Sequence, residues 1–173
     1  METINTRNQA VKYLNIPENE IFYFHKYKNK DWGYADKYVY SHLFRKINGK
    51  WVELTKNIKA LCIYSYNNGD WGYKNEKKYW HLFRKINGEW VELTENVKAV
   101  NSWSYDNGDW EYEDGNEYHH LFREINNQWI ELTENVKAID TFSYDDGGWG
   151  YRDSKGNYYF FDRNSKLIKK IKS

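Results

Sequence analysis

The sequence predicts an all-β repeat protein built from 39-residue units of four short strands. Three observations carry this. Trp32, Trp71, Trp110 and Trp149 recur every 39 residues, and Trp51, Trp90 and Trp129 keep the same interval. His42, His81 and His120 do so too, each followed by Leu-Phe-Arg, with no insertion or deletion across three periods. Within a period, side chains of opposite character alternate with period two, as half-buried strands require and helices do not. Strict spacing means that each unit meets its neighbour in one geometry.

Composition agrees. Aromatic residues make up 20% of the 173 positions, with 9 Trp and 17 Tyr, although 29% of residues are charged and the mean hydropathy is −1.03. A disordered chain has such charge but lacks the rings, so aromatic side chains are expected to supply most of the core. The formal net charge of +1 is too balanced to argue for nucleic acid. A single cysteine, Cys62, excludes an internal disulfide framework. No apolar run is long enough for a membrane-spanning helix. Residues 1–11 carry no apolar stretch behind a basic start, so no secretory signal is expected and the chain is expected in the cytoplasm.

Taken in order, residues 1–19 stand outside the repeat. "NTRNQAVKYLNI" places Ala10, Val11, Tyr13 and Leu14 at helical spacing, and Pro17 stops the pattern. This predicts a short helical cap on a β-repeat domain spanning 20–173; a helix that docks a partner is the other reading. Residues 21–27, "IFYFHKY", look like a copy of 60–66. In the second unit "DWGY" (70–73) is a short strand, and "KYWHLFRKI" (78–86) sets Tyr79, His81 and Phe83 against Trp80, Leu82, Arg84 and Ile86. Asn87-Gly88 is a two-residue hairpin turn, because both positions tolerate positive φ. "EWVELT" (89–94) returns, "VKAVNSWSY" (97–105) is the next strand, and "DNG" turns into the following unit. The last unit ends in the basic "KLIKKIK" where the others carry "EWVELT". It reads as stopping one strand short, while the N-terminus has one strand to spare. The expectation is a four-bladed β-propeller closed by the N-terminal strand, which would hide both sheet edges. An open β-solenoid with modified end repeats is the alternative.

The elements "DWGY" (31–34 and 70–73), "DWEY" (109–112) and "GWGY" (148–151) resemble the WG-repeat proteins, bacterial all-β repeat proteins named for their Trp-Gly pair. Trp32-Gly33, Trp71-Gly72 and Trp149-Gly150 match, whereas Trp110-Glu111 departs, and the Gly-x-x-x-Ile-Pro stretch usual in the family lacks its Pro here. The ending "GNYYFFDRNSK" (156–166) is similar to aromatic choline-binding repeats of exported cell-wall proteins. The WG resemblance implies a binding or scaffold role without catalysis, and names no ligand.

The His-Leu-Phe-Arg tract is the most tempting chemistry. Yet an active site occurs once and breaks a repeat, whereas this tract occurs three times. His42, His81 and His120 and the adjoining arginines are therefore expected to hydrogen-bond neighbouring blades. A metal bound by the three histidines would need ligands about 2 Å from one ion, and the fourth equivalent is Tyr159. No phosphate loop, Ser-His-Asp order, C-x-x-C pair or H-E-x-x-H helix occurs, so no enzyme activity, cofactor or metal is expected. Trp32, Trp71, Trp110 and Trp149 are either packing between blades or ligand-stacking platforms for sugar rings. Charge is the least repetitive feature: residues 105–143 hold 10 acidic and 2 basic side chains, a net −8, against +5 over residues 1–65. Asp106, Asp109, Glu111, Glu113, Asp114 and Glu117 are expected to form a patch that binds another protein through its basic surface. The reading is a non-enzymatic protein-interaction module of the inhibitor, immunity or adaptor kind. The alternative is a glycan-binding lectin using the four Trp residues. A nucleic-acid binder stacking bases beside Arg45, Lys46 and Arg84 is opposed by the acidic unit.

Overall fold

Sixteen strands follow one short helix in the computed structural model, which describes residues 3–172. Met1, Glu2 and Ser173, the outermost residues of the two expected domains, lie outside the described residues. The first sheet comprises β1 (Ile21–Lys26), β2 (Trp32–Asp36), β3 (Ser41–Ile47) and β4 (Lys50–Glu53). The second comprises β5 (Cys62–Ser65), β6 (Trp71–Lys74), β7 (Trp80–Ile86) and β8 (Glu89–Glu92). The third has β9 (Asn101–Ser104), β10 (Trp110–Glu113), β11 (His119–Ile125) and β12 (Gln128–Glu131). The fourth has β13 (Ala138–Ser143), β14 (Trp149–Asp153), β15 (Tyr158–Phe161) and β16 (Leu167–Ile171). The described residues group into two compact bodies, one up to Val91 and one from Glu92 onward.

The all-β repeat is therefore seen as four antiparallel sheets, but the expected closing strand is corrected. Residues 21–26 pair with β2 in the first sheet, and the last sheet is completed by its own β16. The reason is local. Tyr27 N donates to Asp31 O at 2.9 Å and Lys30 N to Tyr27 O at 3.1 Å, closing a tight turn between β1 and β2. A short loop costs little closure entropy, whereas pairing β1 with the chain end would close a loop of well over a hundred residues. The basic tail still alternates well enough to pair, and its lysines suit an exposed edge strand.

Hairpin chemistry explains the outer strands. Asn48-Gly49 has φ of 50° and 80°, and Asn87-Gly88 has 51° and 90°, the left-handed pair that a twisted two-residue hairpin needs. The third sheet does the same with Asn126-Asn127, at 53° and 62°. The second strand of each sheet opens with Trp stacked on Phe of the adjoining strand: Trp32 on Phe44 at 4.2 Å, Trp71 on Phe83 at 4.6 Å, Trp110 on Phe122 at 4.4 Å, Trp149 on Phe161 at 4.2 Å. A second Trp meets the ring edge-on at 6.0 Å in the first three sheets, a favourable quadrupole arrangement. On the opposite face Leu43, Leu82 and Leu121 are fully buried. In the C-terminal body Leu121 packs with Ala138 and Trp149 of the following sheet.

The helix α1 (Arg7–Leu14) starts with a capping box, Thr6 accepting from Gln9 N and Gln9 reaching back to the cap backbone. It ends at Asn15 in the left-handed region, φ 52°, before Pro17 is reached. Eight residues are too few for an autonomous helix in water. Packing holds it: Ala10 is fully buried in a cluster with Ile21, Trp32 and Phe44, and Tyr13 meets Trp32 edge-on at 6.4 Å. Among the described residues no helix is long and apolar enough to cross a membrane.

Candidate functional site

The four repeated Trp residues are core. Trp32 is 0% exposed, and Trp71, Trp110 and Trp149 are each 4% exposed. This corrects the expectation that they could stack sugar rings at the surface. Each sits at the start of the second strand, an interior position of its sheet, with a Phe ring stacked on it.

The buried polar contacts form a repeated clasp. Asp31 is bound by Arg45, whose Nε and Nη2 donate to the carboxylate at 2.8 and 2.6 Å. Arg45 Nη1 donates to Gly69 O, in the turn that follows β5. Ser65 donates to the same carboxylate at 2.6 Å, and Asn29 Nδ2 donates to Ser65 Oγ and to Tyr66 O at 2.7 and 2.8 Å. The first sheet is thus tied to the second by a desolvated ion pair with further hydrogen-bond partners. The C-terminal body repeats the device with Asp109, Arg123, Ser143, Asn107 and the carbonyl of Gly147. Arg84 grips Asp70 in the same way. Sequence reasoning noticed the arginines but missed their partners. The signal was the constant 14-residue interval from Asp31 to Arg45, Asp70 to Arg84 and Asp109 to Arg123. The fourth sheet carries Gly148 and Asp162 at these positions, and Asp162 instead accepts from the backbone of Asn164 and Lys166 within its own turn.

The histidines behave differently from expectation. His42 does not bond a neighbouring sheet. Its Nδ1 lies 2.7 Å from Glu53 and its Nε2 3.4 Å from Asp36, both in its own sheet, and its ring stacks on Tyr34 at 4.5 Å. His120 repeats this with Glu131 at 2.8 Å and Tyr112 at 4.5 Å, and His81 lies 2.8 Å from Asn75 Nδ2. Burial works against the charged form of His42, but the Glu53 hydrogen bond and charge, with Asp36 behind them, raise its pKa above the ordinary value. Among the described residues no group of three or more His, Cys, Asp or Glu is placed to hold a metal ion.

The six acids expected to make one patch do different jobs. Asp109 is 2% exposed and belongs to the Arg123 clasp; Glu111 is 3% exposed. Glu111 replaces the Gly of the Trp-Gly pair, accepts from Thr141, lies 3.4 Å from His119, and has its carboxyl pKa pushed up by burial. These two positions correct the expectation of a surface patch built from all six. Desolvating them costs several kcal/mol each unless paired, and the fold pairs both. Glu113 accepts from Asn101 at 2.6 Å, and Asp114 organises the β10–β11 turn by accepting from Asn116 N and Tyr118 N. Asp106 and Glu117 remain exposed, at opposite ends of the four-residue β10.

Large apolar side chains stand exposed elsewhere. Phe22 is 76% and Tyr23 62% exposed on β1, Tyr64 51% on β5, and Trp103 37% on β9. Each of these strands is an outer member of its sheet and pairs on one side only.

These features define an all-β repeat protein of four four-stranded sheets. No model of a known protein family matches the chain, and no curated protein matches it. Among solved structures it is similar to YCF48 bound to a D1 peptide, with a TM-score of 0.48 at 10% identity over 88% of this chain and 54% of that one. It is also similar to the C-terminal WD40 domain of Sif2, with a TM-score of 0.47 at 16% identity over 90% of this chain and 49% of that one. The chain spans about half the length of these two structures.

Proposed function

We propose that the chain is a non-catalytic protein-interaction module, of the inhibitor, immunity or adaptor kind, for a partner with a basic surface. The observation that carries this reading is the set of exposed aromatic side chains on outer strands: Phe22, Tyr23, Tyr64 and Trp103. Aromatic rings are enriched at the centres of protein interfaces, where they bring large contact area at low entropic cost. Asp106 and Glu117 supply exposed negative charge on the third sheet, which steers a basic partner and speeds its association. Membership of the WG-repeat proteins belongs to the same proposal. It is supported by a reason for the glycine: a Cβ at Gly33 would stand 2.6 Å from His42 O, and one at Gly72 2.8 Å from His81 O.

The test compares three immobilised forms of the chain in a lysate of the native host, with cross-linking and mass spectrometry to map contacts. Wild type should capture one protein that cross-links beside the outer strands. Phe22→Ser with Tyr23→Ser should lose it. Asp106→Asn with Glu117→Gln should bind more slowly, with the difference from wild type shrinking as salt shortens the Debye length from about 10 Å at 0.1 M to about 3 Å at 1 M. Equal capture by the aromatic variant would overturn the reading.

A further inference from the structure

In three sheets the third strand opens with a ring that packs on a ring of the first strand in the same sheet, tilted in one and stacked in two. Trp80 meets Tyr64 at 5.7 Å, His119 meets Trp103 at 5.5 Å, and Tyr158 meets Phe142 at 6.1 Å. The equivalent pair in the first sheet is Ser41 and His25. The hydroxymethyl group of Ser41 covers no ring. The residue between these positions on the second strand is Gly33, where the third sheet has Glu111. The first sheet shares this glycine with the second and fourth sheets, Gly72 and Gly150, and differs from all three others in lacking the ring at the start of its third strand. In the C-terminal body the corresponding space between sheets holds the Glu111 carboxylate, bonded to Thr141, and the His119 ring.

The consequence in the N-terminal body is a cavity of about 320 Å³ walled by His25, Tyr27, Gly33, Ser41, Ile63 and Tyr64. Its size falls at the lower end of the range that holds small ligands, about 300–1,000 Å³. Its walls are mainly aromatic rings and aliphatic carbon with the Ser41 hydroxyl and the Cys62 thiol, and no Lys, Arg, Asp or Glu lines it. Tyr64 is 51% exposed, so a ligand can enter without opening the fold. Tyr27 Oη donates to Ile63 O at 3.0 Å and is held in place as a wall. Ser41, whose hydroxyl donates to Leu61 O at 3.5 Å, is part of the lining.

We infer that this cavity is a binding site for a small neutral planar aromatic molecule, of indole size, packed against His25 as Trp80 packs against Tyr64. The repeat itself supplies the template: the chain places its own indole at this position one unit later. Neutrality follows from a lining without carboxylate, ammonium or guanidinium, since an ionised ligand would lose its hydration without an ion-pair partner. Planarity follows from the offset and tilted stacking that the three filled copies show. This site shares Tyr23 and Tyr64 with the aromatic surface proposed above to bind a partner, but does not depend on that reading.

Indole is the probe, and the wild-type chain is titrated with it by NMR, reading the His25 ring protons, and by calorimetry. Saturable binding is expected, with upfield ring-current shifts at His25. Cyclohexanol, which lacks a π-face, should bind at least about tenfold more weakly, the scale of one lost stacking contact. Ser41→Trp builds the missing ring into the chain. It should abolish indole binding and raise the melting temperature. Tyr64→Leu removes one wall and should weaken binding about tenfold, which tests the site even if Ser41→Trp does not fold. Absence of saturable indole binding to wild type would overturn the proposal. So would unchanged indole affinity in either variant, or equal affinity for cyclohexanol.

Discussion

Arg45 shows how much one side chain can hold. Its side chain is 15% exposed and its Asp31 partner 5%, so both charges are largely shielded from water. Replacing Arg45 with Met leaves the Asp31 carboxylate buried with only the neutral side-chain donors Ser65 and Asn29, and should cost about 3–5 kcal/mol. Arg45→Lys should recover only part of this, because an ammonium cannot reach Asp31 and Gly69 O together; urea unfolding of the three forms checks the order. Trp71 gives a second scale. Truncation to Ala empties a space between Phe83 and Trp90 and should cost about 3–5 kcal/mol; a loss under about 1 kcal/mol would contradict its core role. His42 carries a pH signature. Its pKa in the fold lies above the ordinary 6.5, so its contribution to stability is complete below about pH 6.5 and is lost as pH rises through the raised value. The stability gap between wild type and His42→Gln should therefore narrow as pH rises above about 6.5. A gap independent of pH would show that the Glu53 contact does not depend on the proton.

At the scale of the element, turns and close strand contacts fix the register. Asn127 has φ 62° with a side chain, where the first two sheets use Gly49 and Gly88. Asn127→Gly should stabilise by up to about 1 kcal/mol by relieving left-handed strain. Gly150 is the opposite case. A Cβ there would stand 2.5 Å from Tyr159 O and 3.4 Å from Phe142 and Phe160, so Gly150→Ala must shift the β14–β15 pairing and should cost about 1–3 kcal/mol. Thermal melts of both variants decide; a harmless Gly150→Ala would mean that the strands separate easily. Glu111 shows that the third sheet accommodates a side chain at this position when a bonding network receives it.

Each compact body of the whole molecule contains its own Asp–Arg clasp: Asp31 with Arg45 before Val91, Asp109 with Arg123 after Glu92. In a repeat protein, stability is roughly a sum of unit and neighbour terms. Arg123→Met should therefore reduce hydrogen-exchange protection mainly from residue 92 onward, and leave residues 3–91 less affected. An equal loss on both sides, read by mass spectrometry, would show that the chain unfolds as one cooperative unit.

The local pattern of the chain was enough to determine its strands, its Asn-Gly hairpins and its aromatic core. These depend on neighbours within about ten residues, where alternation, turn propensity and ring size act directly. The phase of the repeat was not legible, because a periodic sequence has no marked beginning. Whether residues 21–26 open the first sheet or close the last was decided by a short turn at residues 27–31 winning over a long-range pairing. The roles of the acids were equally hidden. Asp106 and Asp109 look alike in sequence, yet one is exposed and the other buried, because burial depends on an arginine 14 positions further on and a serine from the next sheet. Only the packing of one sheet on the next brings these groups together and makes a desolvated carboxylate affordable.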